Sequence, residues 1–82
     1  MKERKDITHR FVKSYYKLVG LEKIKTKEEF CALVNTSPSN FKAMEDGGRN
    51  ATVENIYNLH IKFGVSLDWL FTEIGDFLKI KQ

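Results

Sequence analysis

Thr26, Ser37, Thr52 and Ser66 each stand directly before a run of apolar residues spaced three and four apart, and Asn35, Gly47-Gly48 and Gly64 each stand directly after one. Ser and Thr oxygens accept hydrogen bonds from the free N–H groups at a helix start, and Gly or Asn takes the left-handed conformation that ends a helix. Such punctuation confines the chain to short amphipathic helices. An earlier stripe, Ile7, Phe11, Tyr15 and Leu18 with Val12 and Val19, predicts a first helix over about 5–19, stopped by Gly20. No window alternates apolar and polar residues with β-branched content between turn residues, so no sheet is expected. The expected fold is all-α, a compact five-helix bundle forming one domain over 1–82, with flexible ends at 1–5 and 78–82.

Each helix has a predicted inner face. Leu21 and Ile24 dip inward from the basic linker Leu21–Lys25. Thr26-Lys27-Glu28-Glu29 reads as a capping box, Thr at N-cap and Glu at N3. The second helix carries Phe30, Cys31, Leu33 and Val34 and ends at Asn35. Ser37-Pro38 opens the third helix, over 38–46, with Phe41 and Met44 on its inner face. Thr52 caps a fourth, with Val53, Ile56, Tyr57, Leu59 (or His60) and Phe63 facing inward. Ser66 caps a fifth, holding Leu67, Trp69, Leu70 and Phe71. Phe77 and Leu78 then either fold back as a lid or, with Phe71 and Ile80, offer apolar surface to a second copy.

Composition narrows the function. Hydrophobic residues make up 41% and charged residues 30% of the 82, the balance of a globular domain rather than a disordered chain. The single Cys31 excludes an internal disulfide, and one Cys with two His, His9 and His60, is too few for a structural zinc site. Cys31 reads as a small packing residue and His60 as a partly buried structural one. No Gly-rich phosphate loop, metal cluster or nucleophile–base pair stands at meaningful spacing, so neither an enzyme nor a cofactor is expected. The apolar runs are too short to span a membrane, and MKERKDITHR has no apolar stretch of a signal peptide, so a cytoplasmic protein is expected. Charge is unevenly placed: residues 1–27 carry nine Lys/Arg against three Asp/Glu, and residues 28–82 carry five against eight. A basic first third suits a polyanionic partner. Lys23, Lys25 and Lys27 adjoin a helix start and are candidates for a phosphate track.

The most informative stretch is Lys27–Gly47, two short helices joined by Asn35-Thr36-Ser37, the size of a helix-turn-helix over about 27–46. Such a pair needs a small residue at the crossing (Cys31), a residue that accepts positive φ in the turn (Asn35), and apolar anchors on the second helix (Phe41, Met44). Its outward face then carries Ser39, Asn40, Lys42, Ala43 and Asp46.

The segment TKEEFCALVNTSPSNFKAMEDGGRN resembles the Cro/phage-repressor (XRE-type) helix-turn-helix, and FGVSLDWLFTEIG resembles the segment that closes that domain. The resemblance covers about residues 8–76. It implies sequence-specific binding of double-stranded DNA, as a homodimeric transcriptional repressor of bacterial or phage origin, with the 38–46 helix in the major groove. It implies that Thr26 and Lys27 approach phosphates at a helix N-terminus. Ser37, Ser39, Asn40, Lys42 and Ala43 lie on the N-terminal and outer part of the recognition helix, and Arg49 and Asn50 in the loop that grips the backbone.

The chain departs from the family pattern in particular places. Asn35 stands where Gly is usual, and Pro38, Ser39 and Ala43 occupy base-reading positions that more often hold Gln or Arg. Asn40 suits adenine, Lys42 guanine or a phosphate, and Ala43 a thymine methyl; Ser39 and Asn40 equally suit the satisfaction of first-turn N–H groups. Glu45 commonly pairs with a basic residue of the first helix, where this chain has Tyr15, so that pair is expected to be absent or rerouted. The acidic Glu45 and Asp46 and the apolar tail also fit an alternative: a protein-interaction module, or an antitoxin-like partner, on the same fold.

Overall fold

The computed structural model describes residues 2–78, with side chains from residue 5 onward. It is all-α, with helices α1 (Lys2–Gly20), α2 (Lys27–Leu33), α3 (Pro38–Glu45), α4 (Val53–Phe63) and α5 (Leu67–Thr72). The described residues contain no strand, only an isolated antiparallel bridge between Val65 and Leu78. None of the described helices is long and apolar enough to cross a membrane.

The predicted starts are where the hydroxyls put them. Thr26, Ser37, Thr52 and Ser66 cap α2 to α5, each accepting from the N–H three residues on. One detail differs: Glu29 Oε1 accepts from the N–H of Lys25 at 3.0 Å, so the reciprocal half of the expected box falls one residue earlier. α4 closes a full box instead, through Asn55.

The stops are less uniform. α1, α2 and α3 end in the same pattern, an N–H reaching the carbonyl five residues back: Lys23 to Leu18, Thr36 to Cys31, Gly48 to Ala43, each at 2.9 Å. The left-handed residue of that pattern is Asn35 (φ 63°) after α2 and Gly47 (φ 87°) after α3. After α1 it is Glu22 (φ 60°), not Gly20, which sits inside the last turn. Likewise α5 ends on Glu73 (φ 61°).

Five rings from four helices meet in the core. Phe30 lies 5.7 Å from Phe11, 5.3 Å from Tyr15, 5.6 Å from Phe41 and 5.7 Å from Phe63, centroid to centroid. Leu18, Val34, Leu59, Val65 and Leu70 are buried around them, and Ile24 and Cys31 with them. Burial pushes the Cys31 thiol up from its ordinary value, which suits a packing residue rather than a nucleophile.

Several inward expectations are corrected. Val53 is 85% exposed and Tyr57 58% exposed, because α4 buries the side bearing Asn55, Ile56, Leu59 and Phe63. Leu21, Leu67 and Phe71 are also exposed. Trp69 is buried, and Phe77 packs edge-on against it at 4.8 Å. With Ser66 N–H donating to the Phe77 carbonyl at 2.8 Å, Phe77 and Leu78 form the lid of the two alternatives. Ile80 lies outside the described residues.

Candidate nucleic-acid interface

The α2–α3 pair is held by small local devices. Cys31 is buried, as a close crossing requires, and Phe41 and Met44 turn inward from α3. At 100° per residue those two anchors leave Ser39, Lys42, Ala43 and Asp46 on the opposite side of α3. Ser39, Lys42 and Asp46 are exposed, and Ala43 and Asn40 half-buried. The connection between the helices is fixed from α4. Asn55 Nδ2 donates to the carbonyls of Val34 at 2.9 Å and Asn35 at 3.2 Å, while its Oδ1 accepts from Thr52 N–H. Sequence reasoning missed Asn55; its signal is the position three residues after a capping Thr.

The site residues sort into two groups. Ser39, Asn40, Lys42, Ala43 and Arg49 come together on and beside the outer face of α3. Arg49 Nη1 donates to Asn40 Oδ1 at 3.0 Å, which joins the α3–α4 connection to that helix. Ser37 spends its hydroxyl on the N–H of Asn40 at 3.0 Å, so first-turn satisfaction falls to Ser37 and leaves Ser39 and the Asn40 side chain for other partners. Thr26, Lys27 and Asn50 have structural engagements instead. Thr26 Oγ1 accepts from Glu29 N–H. Asn50 Oδ1 accepts from the buried Thr8 hydroxyl at 3.3 Å, and that hydroxyl accepts from Ala51 N–H at 2.9 Å.

Lys27 is drawn inward by Glu45. Its Nζ sits 3.3 Å from Glu45 Oε1 and lies over the rings of Tyr15 and Phe41. The Tyr16 hydroxyl donates to the other Glu45 oxygen. The expected ion pair is thus rerouted: a hydroxyl one residue beyond Tyr15 and a lysine from α2 replace the basic residue. Asp46 in turn faces Lys42 at 3.6 Å, both side chains well exposed. Each carboxylate at the end of α3 therefore has a cation beside it, and the charge there is locally balanced.

The Tyr16 bond and, against the smaller opposing effect of burial, the Lys27 contact hold the Glu45 carboxyl below its ordinary value of 4.5. Lys27 is partly desolvated, yet the bond to Glu45 and its charge raise its pKa. Glu73, bonded to Lys13 at 2.9 Å, is likewise lowered. A carboxyl depressed on folding adds stability that is complete above its unfolded value and lost as pH falls through the folded one. Stability should therefore decline as pH drops below about 4.5. Glu45→Gln should make that decline shallower, as read by urea unfolding between about pH 7 and pH 3. An unchanged slope would show that Glu45 carries no folded-state bond.

Two clefts open beside these elements. One, of about 190 Å³, lies between α1 and the α3–α4 connection, with Lys5, Thr8, His9, Arg49 and Asn50 among its lining residues. The other, of about 220 Å³, is apolar and lined by Ile7, Ala51, Val53, Ile56 and Phe71. His60, half-buried, places Nδ1 2.8 Å from the Val65 carbonyl, the structural role expected of it. Among the described residues no group of His, Cys, Asp or Glu is placed to hold a metal ion.

Comparison of the chain with protein-family models, with curated proteins and with solved structures found no match.

Proposed function

We propose that this chain binds double-stranded DNA sequence-specifically, as a homodimeric transcriptional repressor of the Cro/phage-repressor helix-turn-helix type, with α3 as the helix that enters the major groove. The observation that carries the reading is the state of α3: its outer face is polar and takes no part in the core, its two terminal carboxylates are balanced, and Arg49 is bonded to Asn40 beside it. Asn40 has an amide suited to adenine and Lys42 a donor suited to guanine or phosphate. Arg49 and the basic first third of the chain supply the salt-sensitive attraction to the backbone. Binding is the whole activity; no catalytic step is assigned.

Selection from a pool of random duplexes at one fixed, near-physiological ionic strength tests this. The expected product is a palindrome whose half-sites lie about one helical turn, roughly 34 Å, apart. Arg49→Ala should weaken binding several-fold and alike for all sequences, because a phosphate contact carries no base information. Retention of full affinity by a folded Arg49→Ala protein would remove the mechanism.

A second reading, a protein-interaction module or antitoxin-like partner, is favoured by one observation. Val53, Tyr57 and Ile61 form an exposed i, i+4, i+8 stripe on α4, and Phe71 and Ile74 are exposed nearby in sequence to the lid. Clustered exposed apolar side chains mark protein-binding surfaces. An unenriched pool, with only weak salt-sensitive retention, would favour this second reading.

A further inference from the structure

We infer that the cleft between α1 and the α3–α4 connection is a phosphate site, filled by a backbone phosphodiester of duplex DNA. The inference rests on the DNA-binding reading and extends it from the general basicity of the first third of the chain to particular residues of α1.

The cleft is lined by two cations, Lys5 and Arg49, that have no carboxylate partner among the described residues, and by the His9 ring. Lys5 and His9 stand one turn apart on α1, and both line it together with Arg49. Neither Lys5 nor His9 makes a side-chain hydrogen bond or ion pair among the described residues, and the hydrogen-bond partner of Arg49 is the neutral oxygen of Asn40. The one carboxylate in the lining, Glu45, is taken up by Tyr16 and Lys27. Asn50 is oriented there by its Oδ1, which accepts from Thr8, and its amide N–H groups make no hydrogen bond among the described residues. Gly47 borders the same space with no atom within 4 Å of where a Cβ would stand. Three basic side chains and an amide donor around an open hollow of about 190 Å³ are the donor set a tetrahedral oxyanion takes. His9 offers a ring N–H whether neutral or charged.

Position selects the source of the phosphate. Arg49 belongs both to this cleft and to the face of α3, through Asn40. A backbone held by Arg49 beside α3 therefore passes into the cleft, and Lys5 and His9 meet that phosphate from the α1 side.

The test uses the full chain and a mixed-sequence duplex of about 20 base pairs, its affinity measured across a salt series, with circular dichroism to confirm folding of each variant. Lys5→Ala combined with His9→Ala should reduce the slope of log affinity against log salt by about one to two, since each lost phosphate contact removes roughly 0.9. Lys62→Ala, on exposed α4 surface, should leave the slope unchanged. If the double variant matches wild type while Arg49→Ala lowers the slope, DNA binding stands and the cleft assignment falls. If wild type shows no salt-dependent duplex binding, the DNA reading itself fails, and titration with inorganic phosphate decides the rest. Saturable shifts of the Thr8, His9 and Asn50 amide signals would keep a phosphate site but overturn its DNA source; absent shifts would overturn both.

Discussion

Phe30→Ala is expected to remove about 4 kcal/mol of stability and to lower the thermal midpoint by roughly 20 °C. The Phe30 ring is fully buried and touches rings from α1, α3 and α4, so its loss opens a cavity shared by four helices. Those neighbours are themselves rigid aromatics held on three different helices, and they cannot collapse into the space without moving a backbone. The edge-on contacts with Tyr15 and Phe41 are lost along with the buried area. A chain of this length has about 8 kcal/mol in hand at a typical 0.1 kcal/mol per residue, so one substitution removes about half. Phe71→Ala is the control, because Phe71 is 49% exposed and should cost under about 1 kcal/mol. Thermal unfolding followed by circular dichroism separates the two. Equal losses would mean that the ring cluster is not what holds the bundle together.

That cluster was legible in the sequence because each ring sits at helical spacing within its own segment. So were the caps, since a hydroxyl before an apolar run has few other uses. The stops at Asn35 and Gly47 were legible for a similar reason: only a few residue types enter the left-handed region readily. Glu22 and Glu73 carry no such signal. At Glu73 the decisive partners are remote. Arg10 donates to the carbonyls of Leu70 at 2.6 Å and Phe71 at 2.9 Å, closing the end of α5, while Lys13 holds the Glu73 carboxylate. Such pairings span some sixty residues of chain, and no local pattern announces them.

The face of α4 was misjudged for a different reason. The helix carries two apolar stripes, Ile56-Leu59-Phe63 and Val53-Tyr57-Ile61, and periodicity alone ranks neither. A polar residue decides between them. Asn55 is bonded to the α2–α3 connection, so the helix must turn that side inward, and Val53, Tyr57 and Ile61 are left facing out. The candidate interface shows the same division. The residue types on α3 were readable, but the engagement of Lys27 with Glu45 and of Asn50 with Thr8 depends on where α1 lies. Tyr16, Thr8, Lys5 and His9 entered the site only once α1 was placed against the α3–α4 connection.

Asn55→Asp should therefore cost more than its near-identical size suggests, about 3–4 kcal/mol at neutral pH. The aspartate keeps the oxygen that accepts from Thr52 N–H at 2.9 Å and remains a good first-turn residue for α4, so the cap itself survives. What changes is the other half of the side chain. An amide that donates to the carbonyls of Val34 and Asn35 becomes a carboxylate oxygen set against them, in a position only 3% exposed. Both carbonyls lose a donor and gain a repulsive neighbour, and the connection between α2 and α3 loses its anchor. The pH dependence should identify the cause. A carboxyl buried against carbonyls has its folded pKa raised, so its destabilisation is greatest above that value and is relieved as pH falls and a proton restores a donor. The variant should thus gain stability relative to wild type on mild acidification, opposite in sign to the loss that Glu45 and Glu73 impose on the parent protein. If α3 is the DNA-reading helix proposed above, duplex affinity should fall with the neutral-pH stability, because its outer face is aimed by the connection that Asn55 holds. A variant as stable as wild type at neutral pH, with no recovery in acid, would show that the turn is fixed by its own backbone bonds and that Asn55 is dispensable to it.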